Sequence, residues 1–183
     1  MKSTGIVRRL DDLGRIVIPK EIRKTMRLIT GDPIEIYVEK DELILKKYSQ
    51  MAYNMQIAQK VAKSLNTALQ KSIIIADNES VICANGKANY LLGDKITKDG
   101  VSIVKDKKSF IISKSQNLKP IKLTLGDEGK FTSQIIVPIL SPTGEGVGFI
   151  ALLDDDENYR AEAQDIKFLK LASQILSLDK QSL

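Results

Sequence analysis

The sequence predicts two small domains of different class: a β-rich unit over residues 1–48, then an α+β domain with an antiparallel sheet and flanking helices over residues 49–183. Three observations carry this. Short apolar runs separated by turns rich in glycine, proline and acids fill the first segment. Near Lys46-Lys47-Tyr48-Ser49 the apolar period changes from strand-like to helical. Beyond Lys71 a series of strand-like runs lies between that helix and a second one near the C-terminal end.

Taken in order, Gly5 to Leu10 reads as a strand, Asp11-Asp12-Leu13-Gly14 as a turn and Arg15 to Ile18 as a second strand. Pro19 stands where a helix begins, because its fixed φ suits a first turn and its missing N–H would be unpaired there anyway. Glu21 adds an acid near the positive end of that helix, which runs to about Met26. Gly31-Asp32-Pro33 is turn chemistry, after which Ile34, Ile36 and Val38 alternate with Glu35, Tyr37 and Glu39 as in a half-buried strand. Lys40-Asp41-Glu42 turns the chain back into Leu43-Ile44-Leu45. A unit of this size buries too little apolar surface to stand alone, and needs disulfides, a metal or association. The chain has one cysteine and no histidine, which excludes an intrachain disulfide and a His/Cys metal site. Association with a second copy is the expected solution.

The next segment, Ser49 to about Gln70, places Met51, Met55, Ala58, Ala62, Leu65 and Leu69 at helical spacing. The stripe is packing surface, either a core face or a seam between subunits. Ser72 to Ala76 and Val81 to Ala84 read as a hairpin around Asp77-Asn78-Glu79-Ser80. Lys95 to Lys119 mixes lysines with isolated apolar residues and predicts no particular element. Ile121 to Leu125, Phe131 to Leu140 and Val147 to Leu153 read as three further strands, with Gly144, Gly146 and Gly148 as hairpin glycines. A last helix runs through Ala163, Ile166, Leu169, Ala172 and Leu176. Cys83, in an apolar strand with no histidine base anywhere, reads as a small core residue.

Charge points to function. Between Lys2 and Arg27 eight basic residues stand against three acids, so this segment carries the whole excess of +5. A positive field focused on one segment steers a protein toward a polyanion, and nucleic acid is the commonest soluble one. Five of the eight are arginine, whose planar guanidinium suits bidentate contacts to phosphate or guanine. His-dependent catalytic triads and His metal ligands are excluded by composition, and no P-loop or dinucleotide-binding glycine motif is present. The sequence thus calls for no metal and no cofactor, and nominates no catalytic residue. The acids Asp77, Glu128, Asp154 and Asp155 fall at turns and strand ends without evident partners, and read as solvated loop residues. No run is long enough to cross a membrane, and with no export signal the cytoplasm is the expected compartment.

Ser3-Thr4-Gly5-Ile6-Val7-Arg8-Arg9-Leu10-Asp11-Asp12-Leu13-Gly14-Arg15-Ile16-Val17-Ile18-Pro19-Lys20-Glu21-Ile22-Arg23, with Gly31 to Val38 and Leu43 to Tyr48, resembles the AbrB family of bacterial transition-state regulators. The second half is similar to GAF-type sensory domains, and the two-part order to regulators of spore-forming bacteria that join the two. The resemblance implies a swapped-hairpin barrel built from two chains, in a homodimer or homotetramer associated with the nucleoid. It also implies binding to double-stranded DNA through Arg8, Arg15, Arg23 and the following basic position, here Lys24 where the family usually has arginine. Arg9 and Lys20 join them as flanking candidates on charge. Lysine keeps the charge but not the fork, so Lys24 suits phosphate better than a base edge. Asparagine and glutamine, the adenine readers, are absent before Gln50, so duplex shape and deformability should count for much of the selectivity. The C-terminal domain is expected to sense an unidentified small-molecule effector or to hold subunits together. The alternative is an antitoxin-like module, since the same barrel also occurs in proteins that neutralise a toxin. Those usually follow it with a short acidic tail rather than a folded domain.

Overall fold

The computed structural model describes residues 4–47, 55–113 and 118–177. Its contacts separate into two units, Met1–Tyr48 and Ser49–Leu183. No helix among the described residues is long and apolar enough to cross a membrane.

In the N-terminal unit, helix α1 (Lys20–Thr25) starts on Pro19, and strands β1 (Ile34–Glu39) and β2 (Glu42–Lys47) form an antiparallel hairpin pairing Ile34 with Lys47 and Glu39 with Glu42. Asp32 ties the hairpin to the segment after α1: its carboxylate accepts from the Ile29 N–H at 2.9 Å and pairs with Lys47 at 3.3 Å. The strands predicted at Gly5–Leu10 and Arg15–Ile18 do not form: neither segment joins a β-ladder among the described residues. A strand needs a neighbouring strand to take its backbone donors and acceptors along its length, and the turn bonds between Asp11 and Arg15 do not make such a ladder. Nor is there a core. Pro19 is the only residue buried among those described in this unit, while Val7, Leu13 and Val38 are about three-quarters exposed. An apolar groove of about 820 Å³, lined by Ile6, Ile16, Ile18, Ile22, Leu43 and Leu45 among others, lies open.

The C-terminal unit contains α2 (Met55–Leu69), β3 (Ser72–Asp77), β4 (Val81–Asn85), a 3₁₀ turn (Gly86–Leu91), α3 (Lys98–Asp106), β5 (Phe110–Ser113), β6 (Ser133–Leu140), β7 (Gly146–Asp154) and α4 (Ala163–Ser177). Met51, assigned above to the helical stripe, lies outside the described residues. The sheet is antiparallel throughout, in the order β4-β3-β7-β6-β5, with Ile150 of β7 opposite both Ile75 and Val137. One face packs Ile73, Ile75 and Ile150 against Ala58, Ala62 and Leu65 of α2 and Leu169, Ala172 and Leu176 of α4. The other packs Ile74, Ile136 and Phe149 against Ile103 and Val104 of α3 and Leu91 of the 3₁₀ turn. Central strands covered on both faces lose alternation, which is why β3, β6 and β7 read as continuous apolar runs. Cys83 is buried in the first cluster, and burial pushes its thiol up to about 11.

Three sequence expectations are corrected here. Lys95–Lys119, which predicted nothing, holds α3 and the edge strand β5. Thr97 caps α3 by accepting from the Gly100 N–H at 3.2 Å, and only one side of this helix is apolar. Ile121–Leu125 is not a strand beyond one bridge from Thr124 to Ile96. The buried amide of Gln134 takes the Ile121 N–H at 3.0 Å and donates to its carbonyl at 2.9 Å, doing for that residue what a neighbouring strand would. Of the three glycines, only Gly144 (φ +81) serves the hairpin turn; Gly148 lies within β7, where an added Cβ would run into the Ala76 carbonyl.

Candidate nucleic-acid interface

The turn at residues 11–15 is built by one carboxylate. Asp11 Oδ1 accepts from the backbone N–H groups of Leu13 (3.0 Å) and Arg15 (2.7 Å), the local pattern in which an aspartate stands in for a backbone turn. The Gly14 N–H donates to the Asp11 carbonyl at 2.9 Å, and Gly14 takes φ +74, a conformation that glycine adopts without strain. Asp11 Oδ2 then accepts from Arg15 Nε at 2.7 Å. The Arg15 backbone N–H and its guanidinium hold the Asp11 carboxyl below the usual carboxylate range.

Helix α1 presents the second part. Its first hydrogen bond runs from the Arg23 N–H to the Pro19 carbonyl at 2.9 Å. Lys20, Arg23 and Lys24 stand at i, i+3 and i+4, so they share one face, and Ile22 is half-buried. The helix stops where Arg27 turns to φ +52 and the Leu28 N–H closes on the Arg23 carbonyl.

Arg8 and Arg9 lie in the extended segment before the turn, where Arg8 donates to the Val7 carbonyl at 3.1 Å. Every one of the six predicted cations is exposed. Five of them, Arg8, Arg9, Lys20, Arg23 and Lys24, have no acidic partner among the described residues; Arg15 alone has one. Asp12 and Glu21 form no ion pair there either. Such unpaired guanidinium and ammonium groups can bind phosphate oxygens, and a guanidinium can fork onto a guanine edge. Pairing of the cluster's arginines with Asp11, Asp12 or Glu21 is the structural alternative to DNA contact, and it is realised for Arg15 with Asp11 alone among the described residues; an aspartate four residues before an arginine across a glycine turn is its sequence signal.

The acids of the C-terminal unit are not the unpartnered loop residues expected of them. Asp77 caps its turn by accepting from the N–H groups of Glu79 and Ser80. Asp154 is buried and ion-paired with Lys71, whose ammonium also sits 4.5 Å from the Tyr159 ring centre. Asp155 pairs with Lys87 at 2.6 Å and Glu128 with Lys130 at 2.7 Å, and in each the lysine holds the carboxyl below its ordinary range. A cleft of about 300 Å³ is lined by Asn66, Lys71, Lys87, Asp154 and Asp155, among others. Each of its two lysines is paired with an acid of the cleft, and Asp156 adds a third carboxylate to the lining.

Residues 55–181 match the family described as Stage V sporulation protein T C-terminal, transcription factor, and residues 7–52 match that described as Antidote-toxin recognition MazE, bacterial antitoxin. Stage V sporulation protein T of Bacillus subtilis (strain 168) is 38% identical over 160 residues, covering 86% of this chain and 87% of that protein. The transition state regulatory protein AbrB of the same organism is 58% identical over 48 residues, which is 26% of this chain and 50% of that one. Among solved structures, the GAF domain from Acinetobacter phosphoenolpyruvate-protein phosphotransferase aligns over 71% of this chain and 92% of its own, with a TM-score of 0.51 at 16% identity. At that identity the likeness is one of fold.

Proposed function

We propose that this chain, which belongs to the stage V sporulation protein T family, regulates transcription by binding double-stranded DNA through Arg8, Arg9, Arg15, Lys20, Arg23 and Lys24. One observation carries the reading: a short segment holds the chain's entire positive excess, and five of these six exposed cations have no acidic partner among the described residues. The 58% identity of this segment to a transition state regulatory protein supports it.

The unit works as a pair of chains in this reading. The open apolar groove, and the two segments at residues 5–10 and 15–18 that join no β-ladder among the described residues, are what a second copy would complete. Two copies double the basic surface across a two-fold axis, which suits two half-sites on a duplex. Phosphate contacts then set affinity and register, with selectivity drawn from duplex shape and from whichever arginines reach base edges. The C-terminal unit joins subunits or carries a sensory role. Phe168, Leu171 and Ile175, all more than a third exposed along α4, favour subunit contact. The match of residues 7–52 to an antitoxin family keeps a toxin-binding reading in view, against which stands the folded domain that follows the barrel segment.

The test is fluorescence anisotropy of the full chain on duplexes selected from genomic fragments, at several salt concentrations. Log affinity should fall against log salt with a slope of about −0.9 per neutralised phosphate. Arg23→Ala should cost about 1–3 kcal/mol while leaving the oligomer intact by size exclusion. An affinity nearly indifferent to salt would sink the reading, and a dissociated Arg23→Ala would make that arginine structural.

A further inference from the structure

Arg15 differs from the other cations of the surface in being held. Its Nε–H donates to Asp11 Oδ2 at 2.7 Å, while Asp11 Oδ1 fixes the turn beneath it through the N–H groups of Leu13 and Arg15 itself. The guanidinium is thereby tied at one edge. Nη1 and Nη2, at its far end, have no partner among the described residues, and the side chain is 70% exposed. Immobilising a long side chain on binding carries an entropic cost, and a side chain already ordered avoids part of it. A carboxylate beside a DNA-binding arginine also repels phosphate. Positioning and repulsion therefore act in opposite directions, which makes them separable.

We propose that Asp11 is a positioning residue for Arg15: it occupies Nε and presents the Nη1/Nη2 pair end-on to two neighbouring acceptors of the duplex, a guanine O6/N7 edge or two phosphate oxygens. The proposal rests on the DNA-binding reading above. It goes beyond the charge argument, in which Asp11 only subtracts from the positive field.

The experiment compares the full-length wild type with Asp11→Asn, Arg15→Ala and the double variant, on a selected duplex and a scrambled one of equal length. Asparagine keeps an oxygen for the Leu13 and Arg15 N–H groups, so the turn persists while the tie to Nε is lost. Asp11→Asn should bind the selected duplex about tenfold more weakly, even though it removes a negative charge. In the Arg15→Ala background the same change should cause no loss, since coupled residues are non-additive. A loss confined to the selected duplex assigns the fork to guanine, and an equal loss on both assigns it to phosphate. Unchanged or tighter binding by Asp11→Asn overturns the proposal. If wild type itself shows no salt-dependent binding, the DNA reading fails; if wild type binds and Arg15→Ala weakens it while Asp11→Asn does not, only this inference fails. NMR of the free wild type gives a check that needs no variant: the Arg15 Nε–H should exchange with solvent more slowly than those of Arg9 and Arg23. Equal rates overturn the proposal.

Discussion

Phe149, Ile73 and Ile150 of the C-terminal unit are completely buried within one chain, whereas Val7, Leu13 and Val38 of the N-terminal unit stand about three-quarters exposed and Pro19 is the one buried residue among those described there. Among the described residues the first unit has a hairpin, one short helix and two segments outside any β-ladder; the second has five strands with apolar side chains packed on both faces. The difference teaches that the two units reach stability by separate routes. One is complete as a single chain. The other leaves an apolar groove open and most of its described residues exposed, which the proposed pairing of two chains would remedy.

The largest test of this contrast is Phe149→Ala, which removes an aromatic ring with no exposure and should destabilise the C-terminal unit by about 3–5 kcal/mol in a denaturant titration. A cost below about 1 kcal/mol would mean that the sheet is loosely packed and the contrast overdrawn. Next in size is dilution. If a second copy completes the N-terminal unit, each tenfold dilution should shift its unfolding by about 1.4 kcal/mol, read from the NMR signals of β1 and β2. An N-terminal transition that ignores concentration would break the comparison outright.

A smaller effect sharpens the picture of the self-sufficient unit. Tyr159 donates to Asp165 at 2.6 Å, and burial, then Asp165, pushes its phenol above the ordinary value of 10.0. A raised folded value means that the contribution is fully present below pH 10 and lost as alkali forces ionisation. Tyr159→Phe should therefore cost about 0.5–1.5 kcal/mol at neutral pH, and its stability should fall less than wild type's above pH 10. Equal alkaline profiles would dismiss the hydrogen bond as a stabiliser. The smallest expected effect lies in the N-terminal unit. The Ile29 N–H chiefly, and Lys47 after it, hold Asp32 below the usual 3.8, so its contribution is present above that value and lost as pH falls through the depressed one. Asp32→Asn should cost at most about 1 kcal/mol at pH 7 and nothing in strong acid, measured by thermal unfolding at the two pH values.

Much of this architecture is legible in the chain. The hairpins around Lys40-Asp41 and Asp77–Ser80, the helix after Pro19 and the strands β3, β6 and β7 follow from turn residues and apolar runs, which act over a few neighbours. The basic surface is equally local, because all six cations lie within seventeen positions of one another. Other features were hidden for a definite reason. α3 is masked by Lys98 and Lys105 on its wet side, and Ile121 imitates a strand residue but is tied by the side chain of Gln134, thirteen residues further on. The ion pair of Lys71 with Asp154 spans even more of the sequence and could not be matched from spacing.

What the sequence determined by itself is the change of class near residue 48, the concentration of positive charge before it and the insufficiency of that first segment as a lone domain. These depend on composition and on contacts a few residues apart. Only the tertiary structure decided which acids of the C-terminal unit are neutralised and that Gly148 must admit a neighbouring carbonyl. Pairing and burial are set by which side chains meet in space, and that is fixed only once the chain has folded.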